Sequence, residues 1–333
     1  MKKFLVWALS VASLALGYLG IPLPGCAASP ENTRIAPSLL LAIKDAKDQA
    51  RSFGSRIWPG YETAPFGLLA TLEGREVLFC HGSLVAGFTA LPPDPDTRCD
   101  LQERPNVFPR NLLAAMPVIE GISTIVMGTP ESTGRDQVDW TQTIFHEHFH
   151  QYQSGFDDYY QRLDGLDLDG GDDTGMWMLN YPFPYRDEQF ELALSRAAQA
   201  LHDAINQQGT SFQERVSIYL KARQALEAVV PAESWKYLEL QLWMEGVARW
   251  TEIEIALSSS DSGVVASGKA LRQRTVASLP GLEAAQLGRA LVYPYGATEA
   301  MLLERCKPTW RQVYPAVLSL GALVKAIEPD NCW

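Results

Sequence analysis

Positive charge is scarce in this chain of 333 residues: 28 Lys and Arg stand against 39 Asp and Glu, a formal net charge of -11. No Lys/Arg-rich patch offsets that balance, which weighs against nucleic acid and anionic membrane surfaces as partners. Long apolar runs are scarce too. The uncharged run FLVWALSVASLALGYL at 4–19 falls short of the roughly 20 residues that cross a bilayer. The chain has no Gly-rich phosphate loop, no G-x-S-x-G elbow and no thiol-based catalytic pattern, so the chemistries those motifs serve are not expected. It has no internal repeat and no long low-complexity tract. With 47% hydrophobic and 20% charged residues it is not a disordered chain. Its length suffices for one large domain or two packed subdomains.

Lys2 and Lys3, the apolar run and IPLPGCAASP together have the layout of a secretory signal peptide, assigned here to residues 1–28. Leu23-Pro24-Gly25-Cys26 resembles a bacterial lipobox, which would anchor the chain by a lipid at Cys26. Cys26-Ala27-Ala28 offers an ordinary cleavage site instead, and both remain open. Either route predicts an extracytoplasmic protein, periplasmic or secreted, with no span in the mature chain. Four cysteines then remain, and neighbours in sequence are expected to pair: Cys80–Cys99 and Cys306–Cys332.

The periodicity predicts an α+β chain: a mixed part with a sheet at 30–138, then a mainly helical part at 139–333. Leu39, Leu40, Ile43, Ala46, Ala50 and Phe53 share a helical stripe. Residues 66–90 carry β-type runs broken by Glu-Gly and His-Gly turns. Five prolines make 91–110 a loop, and ISTIVM at 122–127 reads as a strand. Helices are expected near 139–153, 187–207, 211–229, 232–257 and 297–306, with an irregular excursion at 155–186.

Histidine is rare, yet three of the five fall in TIFHEHFHQYQ at 143–153. Residues four apart share a helix face, so His146 and His150 can bind one metal ion. His148 points elsewhere. Glu147 stands beside His146, where a carboxylate can take a proton from an attacking water. This is H-E-x-x-H, two zinc ligands and a general base. A third ligand is required. The extended metzincin pattern fails, because Gln153 and Phe156 stand where it needs glycine and a ligand. Downstream, WMEGVARWTE at 243–252 puts Glu245 in a predicted helix, with small Gly246 and Ala248 allowing another helix close.

HEHFHQYQ followed by MEGVARWTE resembles the gluzincin zinc metallopeptidases, over about residues 120–305. The resemblance implies a zincin-like fold, with a small mixed sheet beside the active-site helix. It implies one zinc ion held by His146, His150 and Glu245, Glu147 as base, and Glu252 as a partner orienting a ligand histidine. It assigns the strand 122–127 to the substrate cleft. It implies a tyrosine that donates to the oxyanion: the Y-x-x-G spacing selects Tyr293, with Tyr295 in reserve, in a loop before a helix. A peptide or protein would be the substrate. The aminopeptidase element G-x-M-E-N is missing from IVMGTPES, so action on free N-termini is not implied. The alternative is a non-catalytic metal-containing binding protein on the same fold.

The five aspartates at 164–173 form an oxygen-rich segment of the kind calcium favours. The EF-hand glutamate is missing, which makes a solvated acidic loop the plainer reading. The aromatic run 176–185 fits a cleft wall or an irregular core segment equally. His81 and His202 read as structural.

Overall fold

The computed structural model describes residues 35–172 and 174–333, together with the pair 8–9. Apart from that pair, the segment read as a signal peptide lies outside the described residues, as does Cys26. No described helix is long and apolar enough to cross a membrane.

The first long helix, Pro37–Ile57, begins with proline, which suits a first turn where the N–H has no partner to lose. It buries Leu39, Ala42, Ile43, Ala46, Lys47, Ala50 and Gly54. The predicted stripe is rotated slightly: Leu40 and Phe53 are only half-buried.

Six strands between residues 68 and 128 form one mixed sheet: β2 (Leu68–Thr71), β3 (Arg75–Phe79), β4 (Thr89–Asp94), β5 (Cys99–Pro105), β6 (Leu113–Ile119) and β7 (Ile122–Gly128). A two-residue β1 (Ala8–Leu9) pairs with β6, giving the order β1-β6-β7-β2-β3-β5-β4. Only β2 and β7 run parallel. Glu120 and Gly121 both have positive φ, 51° and 78°, as a tight two-residue hairpin requires.

The loop expected at 91–110 is not one: it contains the end of β4 and all of β5. Pro92 and Pro93 are tolerated because β4 is an edge strand, and the register slips between Leu91 and Asp94. Cys80–Cys99 and Cys306–Cys332 form disulfides, which are compatible with an oxidising compartment.

The histidine helix, Gln137–Ser154, is capped by Asp136, whose carboxylate accepts from the Val138 and Asp139 N–H groups. It lies alongside β7. Trp140 Nε1 donates to Gly128 O at 2.8 Å, and Gln151 Nε2 donates to Gly67 O and Ser123 O. Every residue from Trp140 to Gln153 is buried, so this helix is enclosed on all sides rather than amphipathic.

Beyond it the chain is mainly helical. Glu188–Ile205 and Gly209–Val229 match two expected helices. The glutamate helix runs through Ala232–Gln241, a π-helical turn Leu242–Gly246, and Val247–Leu257. Ser262–Ala277 is a helix that no apolar stripe announces, because it buries little besides Val264, Gly268 and Thr275. The tyrosine helix, Val292–Cys306, starts five residues earlier than 297. Pro294 sits in its first turn, where it costs no hydrogen bond, so Tyr293 and Tyr295 are helical rather than in a preceding loop. One hydrophobic core runs from the first long helix through one face of the sheet into these helices. A smaller core of Leu69, Leu78, Val126 and neighbours covers the other face.

Candidate metal centre

His146 and His150 lie one turn apart on the histidine helix, and their Nε2 atoms are 3.2 Å from each other. Glu245 Oε2 reaches in from the glutamate helix, 3.3 Å from His146 Nε2 and 3.5 Å from His150 Nε2. All three residues are buried, and one ligand atom from each lies within 4.8 Å of the others. Lone pairs from three buried side chains converging so closely suit a cation, and the group can hold a metal ion.

The far ring nitrogens are engaged too. His150 Nδ1 is 2.7 Å from Gln153 Oε1, an amide acceptor that places the proton on Nδ1 and leaves the Nε2 lone pair free to face the centre. Gln153 is itself fixed, donating through Nε2 to Met244 O at 3.2 Å and to the Tyr314 hydroxyl at 2.6 Å. His146 Nδ1 faces Glu252 Oε2 at 3.4 Å, and Arg249 Nη1 stands 3.3 Å from the same oxygen. The His150 imidazole is thus held from behind by an amide, and the His146 imidazole has a carboxylate close behind it.

Helix geometry explains why Glu245 arrives there. Its π-helical turn carries one extra residue per turn, a distortion common at functional sites, and re-aims the side chains it carries. Gly246 lies against Gly296 of the tyrosine helix: a Cβ at Gly246 would sit 2.5 Å from Gly296 Cα. Only paired glycines allow that approach, and it brings Tyr293 beside the centre. The small residue beside Glu245 thus does admit a second helix.

The electrostatics fit this arrangement. Burial alone would push the His146 imidazole down, but Glu245 and Glu252 outweigh it and hold it up at about 9. Burial would raise the Glu245 carboxyl, yet Arg289 and the two histidines keep it well below the usual carboxylate range. Arg289 Nη1 is 3.2 Å from Glu245 Oε1 and 2.8 Å from Gln241 Oε1. Glu252 is likewise pushed up by burial and held down overall by Arg249, His146 and Arg135.

Glu147 is fully buried next to His146, and its charge reaches both His146 and the Tyr293 hydroxyl. The Tyr293 ring lies 5.8 Å from the His146 ring, and its hydroxyl has no hydrogen-bond partner among the described residues. Burial and Glu245 push that phenol up, so it stays protonated and able to donate. Tyr295 faces the other way. Its hydroxyl is 3.4 Å from Tyr219 and belongs to a buried cluster around Arg223 and Glu299. The structure brings Tyr293, and not Tyr295, to the centre.

Other expectations lie apart from the three ligands, although the end of the aromatic run comes near enough to Arg289 for its charge to act on the Tyr185 phenol. His148 bonds Gln151 through Nδ1 at 2.7 Å and packs edge-on against Tyr61 and Phe66; burial pushes its pKa down to about 4. The strand 122–127 is interior, paired along its length with β6 and over its second half with β2. Its backbone is thus paired on both sides from Ile125 to Met127. In the acidic segment, Asp169 and Asp172 accept from Gly171 N and Thr174 N within their own turns. In the aromatic run, Tyr181 stacks on Tyr237 at 4.2 Å and Phe183 packs on Phe190. Sequence reasoning missed Gln153, Arg249 and Arg289. Gln153 follows His150 by three, the spacing at which helical side chains meet, and was the one available signal.

Comparison with family models, curated proteins and solved structures found no match. Fold and site together define a mixed α+β protein with one mixed sheet, a mainly helical C-terminal part and a buried His/His/Glu centre able to hold a metal.

Proposed function

We propose that the chain is a zinc-dependent hydrolase of the gluzincin type, on a zincin-like fold, that cleaves peptide bonds outside the cytoplasm. The observation that carries this reading is the convergence of His146, His150 and Glu245 with Glu147 next to the first ligand. Two imidazoles and one carboxylate are a catalytic rather than a structural zinc set, since they leave a position for water or substrate. A zinc ion in that set supplies Lewis acidity and lowers the pKa of water. Glu147 takes the proton of the attacking water and returns it to the leaving amine. The protonated Tyr293 hydroxyl donates to the oxygen that becomes negative during attack. Gln153 and Glu252 hold the ligand imidazoles in place, and Arg289 keeps Glu245 ionised.

The test joins metal content to chemistry. The purified protein should hold one zinc per chain and cleave members of a mixed library of short quenched peptides. Glu147→Gln should keep the zinc and lower kcat by roughly 10²–10⁴, the usual contribution of a positioned base. No stoichiometric zinc would remove the ligand assignment. Zinc retained with activity unchanged in Glu147→Gln would leave a metal-containing binding protein.

A further inference from the structure

The chain is acidic overall, but the surroundings of the centre are not. Three carboxylates, Glu147, Glu245 and Glu252, are matched there by three guanidiniums. Arg289 pairs with Glu245 and Arg249 with Glu252. Arg135 is near enough to help depress the Glu252 carboxyl. A divalent ion held by the ligands would add two positive charges to that balance.

The arginines also lie where the buried centre meets solvent. The ligands and Glu147 are buried, whereas Arg135, Arg249, Arg289 and Tyr293 are partly exposed. Arg249 and Arg289 both lie against the Tyr293 ring, with guanidinium carbons 5.4 and 5.9 Å from its centroid. Arg289 is the more enclosed, its side chain 12% exposed, and it holds Gln241 as well as Glu245. The Arg249 side chain is 27% exposed. A guanidinium has five N–H donors in a planar fork, so Arg249 can hold Glu252 and still present donors outward. Its Nη1 is 3.3 Å from the Glu252 oxygen that lies 3.4 Å from His146 Nδ1, which keeps Arg249 within about two extended residues of the His146 ring.

We propose that Arg249, supported by Arg135 and Arg289, forms a subsite for a substrate carboxylate one or two residues from the bond that is cut. The inference rests on the hydrolase reading and narrows its substrate class. The free C-terminus of a peptide is the favoured source, because its carboxylate comes at a fixed distance from the last peptide bonds. An acidic side chain offers the same group from a longer and more mobile stem. The specificity would be electrostatic: a substrate without the carboxylate leaves the added positive charge uncompensated.

Cobalt(II) loaded in place of zinc gives a spectroscopic readout that needs no turnover. Three thiol probes are titrated into the cobalt-loaded full-length protein: mercaptoacetyl-Ala-Phe, its C-terminal amide, and mercaptoacetyl-Ala-Glu amide. The free acid should bind roughly tenfold or more tightly than its amide, the scale of one charge-assisted hydrogen bond. Arg249→Gln should erase that ratio and Arg249→Lys should keep part of it. Arg249 also holds Glu252, and a purely positioning role would weaken acid and amide alike and leave their ratio intact, which would overturn the proposal. Tight binding of the glutamate amide would assign the subsite to an acidic side chain. Equal binding of all three probes would end the carboxylate subsite and leave the metal site standing. Failure to take up cobalt would end the hydrolase reading and the subsite with it.

Discussion

Two buried charged clusters draw on the same two helices in this fold, and only one resembles a reactive site. The first is the His146, His150, Glu245 centre. The second surrounds Arg223, whose guanidinium bonds Glu299 through Nε at 2.6 Å and Glu239 through Nη2 at 2.7 Å. The Tyr219 hydroxyl donates to the same Glu299 oxygen, and Ser319 and the Gly321 N–H donate to Glu239. The same helices feed both. Glu239 and Glu245 stand two turns apart on the glutamate helix, and Tyr293 and Tyr295 are neighbours on the tyrosine helix. In the Arg223 cluster one guanidinium lies between the two carboxylates and bonds both. At the histidines, lone pairs converge on a common point with no side-chain cation between them. Burial of charge is shared by the two; convergence of lone pairs is what separates a metal centre from a structural ion network.

Removing the cation from the structural cluster should have the largest effect on stability. Arg223→Met leaves Glu239 and Glu299 buried and facing one another, a loss of about 3–5 kcal/mol in denaturant unfolding. Zinc per folded chain should not change. A variant that loses its metal as well would show that the clusters are one unit and break the comparison.

The neighbouring tyrosines sharpen it. Tyr293→Phe should lower kcat by roughly 10²–10³ at constant zinc content, as the loss of one oxyanion donor does. Tyr295→Phe should leave kcat alone and cost about 1 kcal/mol of stability, through its contact with Tyr219. The reverse result would move the oxyanion role two residues on. Two unimpaired rates would remove it.

A smaller effect is expected behind the metal. Gln153→Leu removes the acceptor on His150 Nδ1 and should weaken zinc affinity by roughly 10–100-fold, read by competition with a chelator. Unchanged affinity would mean that the His150 ring is held by packing alone.

The sequence alone determined a good deal here, because spacing along a helix is a local property. His146 and His150 share a face whatever the rest of the chain does, and His148 cannot join them. The helical C-terminal part follows from periodicity, and the disulfide pairs Cys80–Cys99 and Cys306–Cys332 are those of shortest separation. Local signals failed where a partner decided the outcome. Pro92 and Pro93 read as a loop, but an edge strand paired on one side can hold them. Helix Ser262–Ala277 has no apolar stripe, since its contact with the glutamate helix is made by Gly268 against Ala256. The resemblance selected Tyr293 by its spacing to Gly296 and kept Tyr295 in reserve, but which of the two faces the centre is decided by where their helix begins and what packs around it. The meeting of Glu245 with the two histidines, 99 positions away from the first, needed a π-helical turn and the Gly246–Gly296 contact. So did the placing of Arg249 and Arg289 around Tyr293. No local pattern encodes a distance between helices; it is fixed by which side chains are small enough, on both surfaces at once, to let the backbones touch.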